Sequence, residues 1–240
     1  MTIASILLLG LLLGMRHAME ADHLAAVATL ATRSGSLAQT VRQGAAWGVG
    51  HTLTLMLFGG VVLALGFAVS SHTSLMLELA VGFMLLALGA DVLLRLRRAR
   101  MHFHMHGHLD GEAHFHAHSH HREQRHDPAI HQHHHRVGFP TRALLVGMVH
   151  GLAGSAALVL LSLEAVKSVF WGFVYIAVFG IGSILGMALL SAVIAVPLRL
   201  SARYLTWAHG GLSAIVGLAN IGLGCYMVYR IGIGDGLFSG

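Results

Sequence analysis

Long apolar runs broken by short polar stretches set the rhythm of this chain. Windows at roughly 3–31, 44–69, 75–95, 141–163, 168–196 and 206–230 are each long enough to cross about 30 Å of hydrocarbon. The pattern predicts an all-α membrane protein with six transmembrane helices. Between the third and fourth windows, from Arg95 to Arg142, the composition changes to MHFHMHGHLDGEAHFHAHSHHREQRHDPAIHQHHH. This stretch has few apolar residues with which to fold, so it is predicted to be a disordered loop outside the membrane.

The apolar windows also repeat. LLLGMRHAMEADHLAAV aligns with LLVGMVHGLAGSAALVL, pairing Gly14 with Gly147, Met15 with Met148 and His17 with His150. GVGHTLTLML at 48–57 aligns with GIGSILGMAL at 180–189, and VGFMLLALGADVLLR at 81–95 with VGLANIGLGCYMVYR at 216–230. Three helices recur in order, and because three is odd the second set starts on the opposite side of the bilayer. Two inverted three-helix repeats are therefore expected, at 1–95 and 141–231, joined by the His-rich loop 96–140 and followed by a tail, 232–240. Such repeats recur in secondary transporters, with the binding site near the midplane where the copies meet.

Composition agrees with a bilayer as solvent. Of the 240 residues 55% are hydrophobic and 10% charged, with a mean hydropathy of +0.72, whereas soluble domains carry about 25% charge. Residues 3–13 could be read as a signal-peptide core, but no charge precedes Arg16, and the segment is expected to remain as a helix. The arginines set the orientation. Arg33, Arg42, Arg95, Arg97, Arg98, Arg100, Arg142, Arg199 and Arg203 fall on one side, against Lys167 and Arg230 on the other. The positive-inside rule puts the His-rich loop in the cytoplasm and both termini outside a cytoplasmic (inner) membrane. The basic excess thus reads as topology, with no nucleic-acid partner implied. Cys225 is the only cysteine, which excludes an internal disulfide, a CxxC redox pair and a thiolate metal cage.

The chemistry lies in GMRHAMEADHLAAV at 14–27. Eleven Leu, Ile and Val residues favour insertion of the first window by roughly 3 to 7 kcal/mol, while Arg16, Glu20 and Asp22 near its centre cost about 7 to 10 kcal/mol. An Arg16–Glu20 pair at i,i+4 would compensate only part of this. Imidazole and carboxylate are ligands of divalent first-row metals, and His17, Asp22 and His23 offer both within two turns. A nitrogen and oxygen donor set without sulfur suits nickel, cobalt or zinc better than copper(I). On a straight helix His17 and Asp22 lie about 140° apart, and His17 and His23 about 120°. The helix must therefore unwind, near Gly14, or other helices must complete the site. His51 in VGHT and His150 in VHGL, each a lone histidine beside a glycine, are the candidates for completion.

These residues carry a resemblance. RHAMEADHLAAV with its HxxxxDH core, GVGHTLTL and MVHGLAGSAAL after a His-rich loop resemble the nickel/cobalt transporter family, in particular its short six-helix branch of urease-accessory or nickel/cobalt exporter-like membrane proteins. The resemblance implies secondary transport of Ni²⁺ or Co²⁺, as substrate and not as cofactor, with His17, Asp22 and His23 essential and His51 as a further metal residue; beside it, the residues themselves make His150 a metal candidate and put Arg16, Glu20 and Ser155 in support. Ser155 is the only polar side chain where longer importers of the family carry an acidic motif. Delivery to or from cytoplasmic nickel proteins would follow.

Other classes are less well supplied. Neither HExxH nor HxxEH occurs, so no enzyme is expected, and without GxxxxGK[ST] there is no ATP-driven pump. Zinc carriers with HxxxD or HxxxE pairs and a non-transporting metal sensor remain as alternatives. Fourteen of the 20 histidines lie between His102 and His135, among them His102, His104, His106, His108, His114, His116, His118, His120, His121, His133, His134 and His135. Their crowding points to a loose metal buffer. A loading device on the cytoplasmic side favours export, although a buffer for imported metal would look the same.

Overall fold

The structure, a computed structural model, describes residues 3–32, 36–65, 70–98, 102–107, 113–118, 140–165, 168–204 and 206–238; side chains are described in all of these except 102–107, 113–118, 154–165, 201–204 and 206–209. The chain is helical almost throughout: α1 (Ile3–His17), α2 (Ala21–Ala31), α3 (Leu37–Thr54), α4 (Gly60–Leu65), α5 (Ser71–Arg98), α6 (Thr141–Ala165), α7 (Val169–Tyr204) and α8 (Thr206–Tyr229). A π-helical turn, Leu55–Gly59, joins α3 to α4, and a second, Arg230–Gly234, follows α8.

Hydrophilic side chains start the helices where the apolar runs begin. Ser36 Oγ accepts the Gln39 N–H at 3.1 Å ahead of α3, and Ser70 Oγ accepts the Thr73 N–H at 3.1 Å ahead of α5. Each satisfies a donor that the helix leaves open. Helices outrun the apolar windows at their basic ends: Arg42 lies within α3, Arg95, Arg97 and Arg98 in the last turn of α5, and Arg142 in the first turn of α6. A terminal turn of arginines can project past the hydrocarbon while its backbone stays hydrogen-bonded.

Among the described residues, four helical segments are long and apolar enough to cross a membrane: Leu37–Leu65, Ser71–Arg98, Val169–Leu200 and Gly210–Gly234. The first apolar window is one span only as a bent pair, because α1 and α2 meet at 58°. The apolar part of α6 within the described side chains, Thr141–Ala153, is shorter, although the helix itself runs for 25 residues. Four to five spans are therefore established by length and composition, where the apolar windows predict six. The protein is multi-pass.

Part of the His-rich loop departs from the disorder expected of it. His102–Gly107 (β1) and Ala113–His118 (β2) pair antiparallel, with His102 opposite His118, His104 opposite His116 and His106 opposite His114. Histidine alternates there with Phe, Met and Ala, and a period of two is the strand pattern. His108, His120, His121, His133, His134 and His135 lie outside the described residues.

Glycines govern how closely the helices pack. A Cβ on Gly14 of α1 would run into the Phe179 carbonyl of α7, and one on Gly147 of α6 into the Trp47 carbonyl of α3. Likewise Gly182 of α7 lies against the Leu11 carbonyl, and Gly50 of α3 against the Leu144 carbonyl. Under the sequence alignment Gly14 matches Gly147, Phe179 matches Trp47, Gly50 matches Gly182 and Leu11 matches Leu144. Every contact between α1 and α7 named here thus has its counterpart between α6 and α3. The same reciprocity joins α5 to α8, where Gly89 faces the Gly217 carbonyl and Gly224 the Gly82 carbonyl. Bilayer helices gain little from apolar surface alone, so backbone approach at small residues supplies the packing.

Leucine at Gly50 or Gly182 is expected to lower the melting temperature of the detergent-solubilised protein and its yield in membranes. Alanine at Gly211 or Gly222, where a Cβ meets nothing within 4 Å, should be neutral or stabilising by up to about 1 kcal/mol through helix propensity. Fluorescence-detected thermal unfolding separates the two classes; similar losses in all four variants would contradict the packing account.

Candidate metal centre

Helix α1 stops at His17. The N–H groups of Met19 and Glu20 turn back to the carbonyls of Arg16 at 2.9 Å and His17 at 3.0 Å, tightening the end of the helix. Glu20 then takes an extended conformation, φ −65° and ψ 152°, and begins α2 without a side-chain bond to it. Its carboxylate is used elsewhere: Oε2 accepts from His17 Nδ1 at 3.0 Å. Gly14, where sequence reasoning places the unwinding, stays helical because it is committed to the contact with Phe179 and accepts the Ser183 hydroxyl at 3.3 Å. The break falls after His17, and it removes the helical-wheel obstacle. His17 and His23, which point apart on a straight helix, come to a ring separation of 4.4 Å.

Around this bend four imidazoles gather from four helices. His17 ends α1, His23 lies in the first turn of α2, His51 near the end of α3 and His150 in α6; the last three are 0–2% exposed. Ring centroids are 5.2 Å apart for His17–His51 and His23–His51, and 3.9 Å for His23–His150. Asp22 holds two of them at once: Oδ1 accepts from His23 Nδ1 at 3.0 Å, and Oδ2 from His150 Nε2 at 2.9 Å. His51 lies fourteen residues from either end of Leu37–Leu65, about 21 Å at 1.5 Å per residue. The cluster is thus halfway along the span.

The hydrogen bonds decide where the lone pairs are. An ionised carboxylate only accepts, so the protons of His17 and His23 are on Nδ1 and that of His150 on Nε2. His17 Nε2, His23 Nε2, both ring nitrogens of His51 and His150 Nδ1 are left buried without a partner. Each such group costs on the order of 1–3 kcal/mol when nothing binds it. Ligand atoms of His17, His23 and His51 lie within 4.8 Å of one another, as do those of Asp22, His23 and His150. Metal–nitrogen bonds of about 2.0–2.1 Å place two donors at most about 4.2 Å apart, so rotamer shifts of under about an ångström close either set on an ion. With neutral imidazoles the centre carries the carboxylate charges of Asp22 and Glu20, matching a divalent cation.

The i,i+4 pair that would compensate part of the charge is not formed: Arg16 is exposed, and Glu20, 57% exposed, pairs with His17. The Ser155 side chain lies outside the described residues. Sequence reasoning missed the walls of the centre. Trp47 stacks on His23 at 5.6 Å and lies 5.5 Å from His150, while Phe179 lies 5.4 Å from His17. The signal for Trp47 was its place one turn before His51. Asn220 of α8 was missed too; its Nδ2 donates to the Ala25 carbonyl of α2 at 2.9 Å and fixes that helix against α8. A lone asparagine in VGLANIGLG was the available clue.

Comparison with known proteins gives two findings. Residues 3–228 match the NicO family, described as high-affinity nickel-transport protein. The chain is also 36% identical over 235 residues, 98% of its own length and 95% of the relative's, to the urease accessory protein UreH of Bacillus sp. (strain TB-90). No solved structure matches.

Replacing His51, whose two nitrogens have no partner, by leucine should leave the melting temperature of the metal-free protein unchanged or raised. The same variant should lose most of the nickel-induced stabilisation, which amounts to about 2.7 kcal/mol at a hundredfold excess over Kd in an intact site. Asp22→Ala, which orphans two imidazoles, should destabilise the metal-free protein. Equal destabilisation by both would show that His51 is a structural core histidine.

Proposed function

The chain belongs to the NicO family of nickel-transport proteins, a family of carriers and not of enzymes, and we propose that it is a secondary transporter moving Ni²⁺ or Co²⁺ through the imidazole cluster. The observation that carries this reading is the set of buried, unpartnered ring nitrogens of His17, His23 and His51 converging halfway along the spans. Asp22 and Glu20 hold His23 and His17 by Nδ1, leaving each Nε2 free to ligate. A carboxylate in this position fixes the tautomer and raises the basicity of a metal-binding histidine. Three nitrogen donors with open positions bind a divalent ion firmly enough to strip part of its water, and loosely enough to exchange it. Metal or proton gradients and the membrane potential supply the energy.

Six spans in two inverted repeats complete this reading, with both termini outside the inner membrane and the loop in the cytoplasm. The reciprocal glycine contacts of α1–α7 and α6–α3 support the repeats, and the arginine distribution supports the orientation. The cytoplasmic histidines then serve as a metal buffer that loads the carrier from inside, which favours export. A second reading, import, is favoured by the relative's designation as a urease accessory protein, since supply of metal to an enzyme runs inward.

Radioactive nickel flux in cells with and without the protein tests this. His17→Ala and Asp22→Ala should lower flux at least about tenfold while the protein still reaches the membrane, and native flux in either variant contradicts the assignment. Serine in place of all loop histidines should spare flux at saturating nickel and weaken it at limiting nickel; a dead variant would put the loop in the permeation path.

A further inference from the structure

Two ligand sets, not one, surround His23. His17, His23 and His51 form the first, and Asp22, His23 and His150 the second; only His23 belongs to both. They differ in readiness. In the first set the lone pairs of His17 Nε2, His23 Nε2 and His51 are free. In the second the donors satisfy one another, Asp22 Oδ1 with His23 Nδ1 at 3.0 Å and Asp22 Oδ2 with His150 Nε2 at 2.9 Å.

The sequence repeat links one member of each set, pairing His17 with His150, while His23 and His51 align with Ala156 and Ser183. His17 and His150 each have beside them an aromatic ring from α7 or α3 at matching positions, Phe179 at 5.4 Å from His17 and Trp47 at 5.5 Å from His150. The surroundings are unequal in one respect. His17 is 14% exposed and bonded to the exposed Glu20, whereas His150 is 2% exposed. Each set nonetheless has one group that reaches the surface, His17 in the first and Asp22, 23% exposed, in the second.

We infer that the ion occupies two overlapping stations in turn, first His17–His23–His51 and then Asp22–His23–His150, with His23 handing it across. This rests on the transport reading above. At the second station the ion takes the place of the two hydrogens now lying between Asp22 and the imidazoles. The His23 proton moves from Nδ1 to Nε2 and the His150 proton from Nε2 to Nδ1, nitrogens that have no partner now. No proton is gained or lost in the step. In an inverted pair of halves, equivalent positions such as His17 and His150 face opposite sides of the membrane, so the handover across His23 carries the ion from the half that holds His17 to the half that holds His150.

The test uses the full-length protein in lipid nanodiscs, with nickel binding measured by equilibrium dialysis and flux measured in vesicles. Glutamine at His150 keeps a donor for Asp22 but gives up the nitrogen lone pair. His150→Gln should retain nickel binding at the first station and lose flux by about tenfold or more. His51→Leu should weaken binding yet leave a residual site, and adding His150→Gln should remove it. Native flux in His150→Gln would reduce His150 to a hydrogen-bond partner of Asp22 and overturn the second station, as would a His51→Leu protein with no residual binding. Absence of nickel binding by the native protein would instead overturn the transport reading itself, so the two failures are distinguishable.

Discussion

The carboxylate of Asp22, shared between His23 and His150, is the interaction on which the rest of the centre depends. It joins the bent α1–α2 pair to α6, from the far side of the His-rich loop. It also dictates the protonation pattern. Because a carboxylate offers only lone pairs, both imidazoles must turn an N–H toward it, and their remaining nitrogens are left as bare acceptors in a buried place. In the first ligand set the tasks are separate, with imidazole nitrogens free to ligate and acidic side chains aiming them, Glu20 on His17 and Asp22 on His23.

That arrangement requires two departures from regular helix. The turn after His17 brings residues that would point apart into ring contact. The π-helical turn at Leu55–Gly59 begins one turn beyond His51, where the extra residue per turn resets the faces of α3 and α4; π turns recur next to functional sites for this reason. Both irregularities sit inside a bundle whose helices are held at short range by glycine. A carbonyl that packs against a glycine Cα leaves little freedom to slide, so the histidines on α1, α3 and α6 are placed by backbone contacts more than by their own packing.

Much of this was legible in the sequence, for identifiable reasons. Helix positions followed from apolar run length, because hydrocarbon thickness acts on residue type alone, and the three collinear matches anticipated the paired glycine contacts. Charge in an apolar run marked His17, Glu20, Asp22 and His23, and glycine neighbours marked His51 and His150. Other features depend on three-dimensional placement. Nothing in RHAMEADH tells whether the helix yields before or after His17; that is decided by Gly14 being committed to α7. Nothing tells that Glu20 pairs with His17 in place of Arg16, since spacing permits both. Trp47, Phe179 and Asn220 read as ordinary membrane residues until the helices that carry them are brought to the centre. The strand pairing of His102–Gly107 with Ala113–His118 was present as a period of two, hidden by the polarity of the segment.

The central claim is that a divalent ion is held by imidazole nitrogens oriented by carboxylates. X-ray absorption at the nickel edge, on the purified protein loaded with one equivalent of Ni²⁺, measures this most directly. The account predicts at least three imidazole ligands at about 2.0–2.1 Å, visible by outer-shell scattering from the rings, no sulfur, and loss of that scattering when His17, His23 and His51 are replaced together with the loop histidines left in place. A shell of oxygen alone, or an imidazole signal that survives the triple replacement, would contradict it.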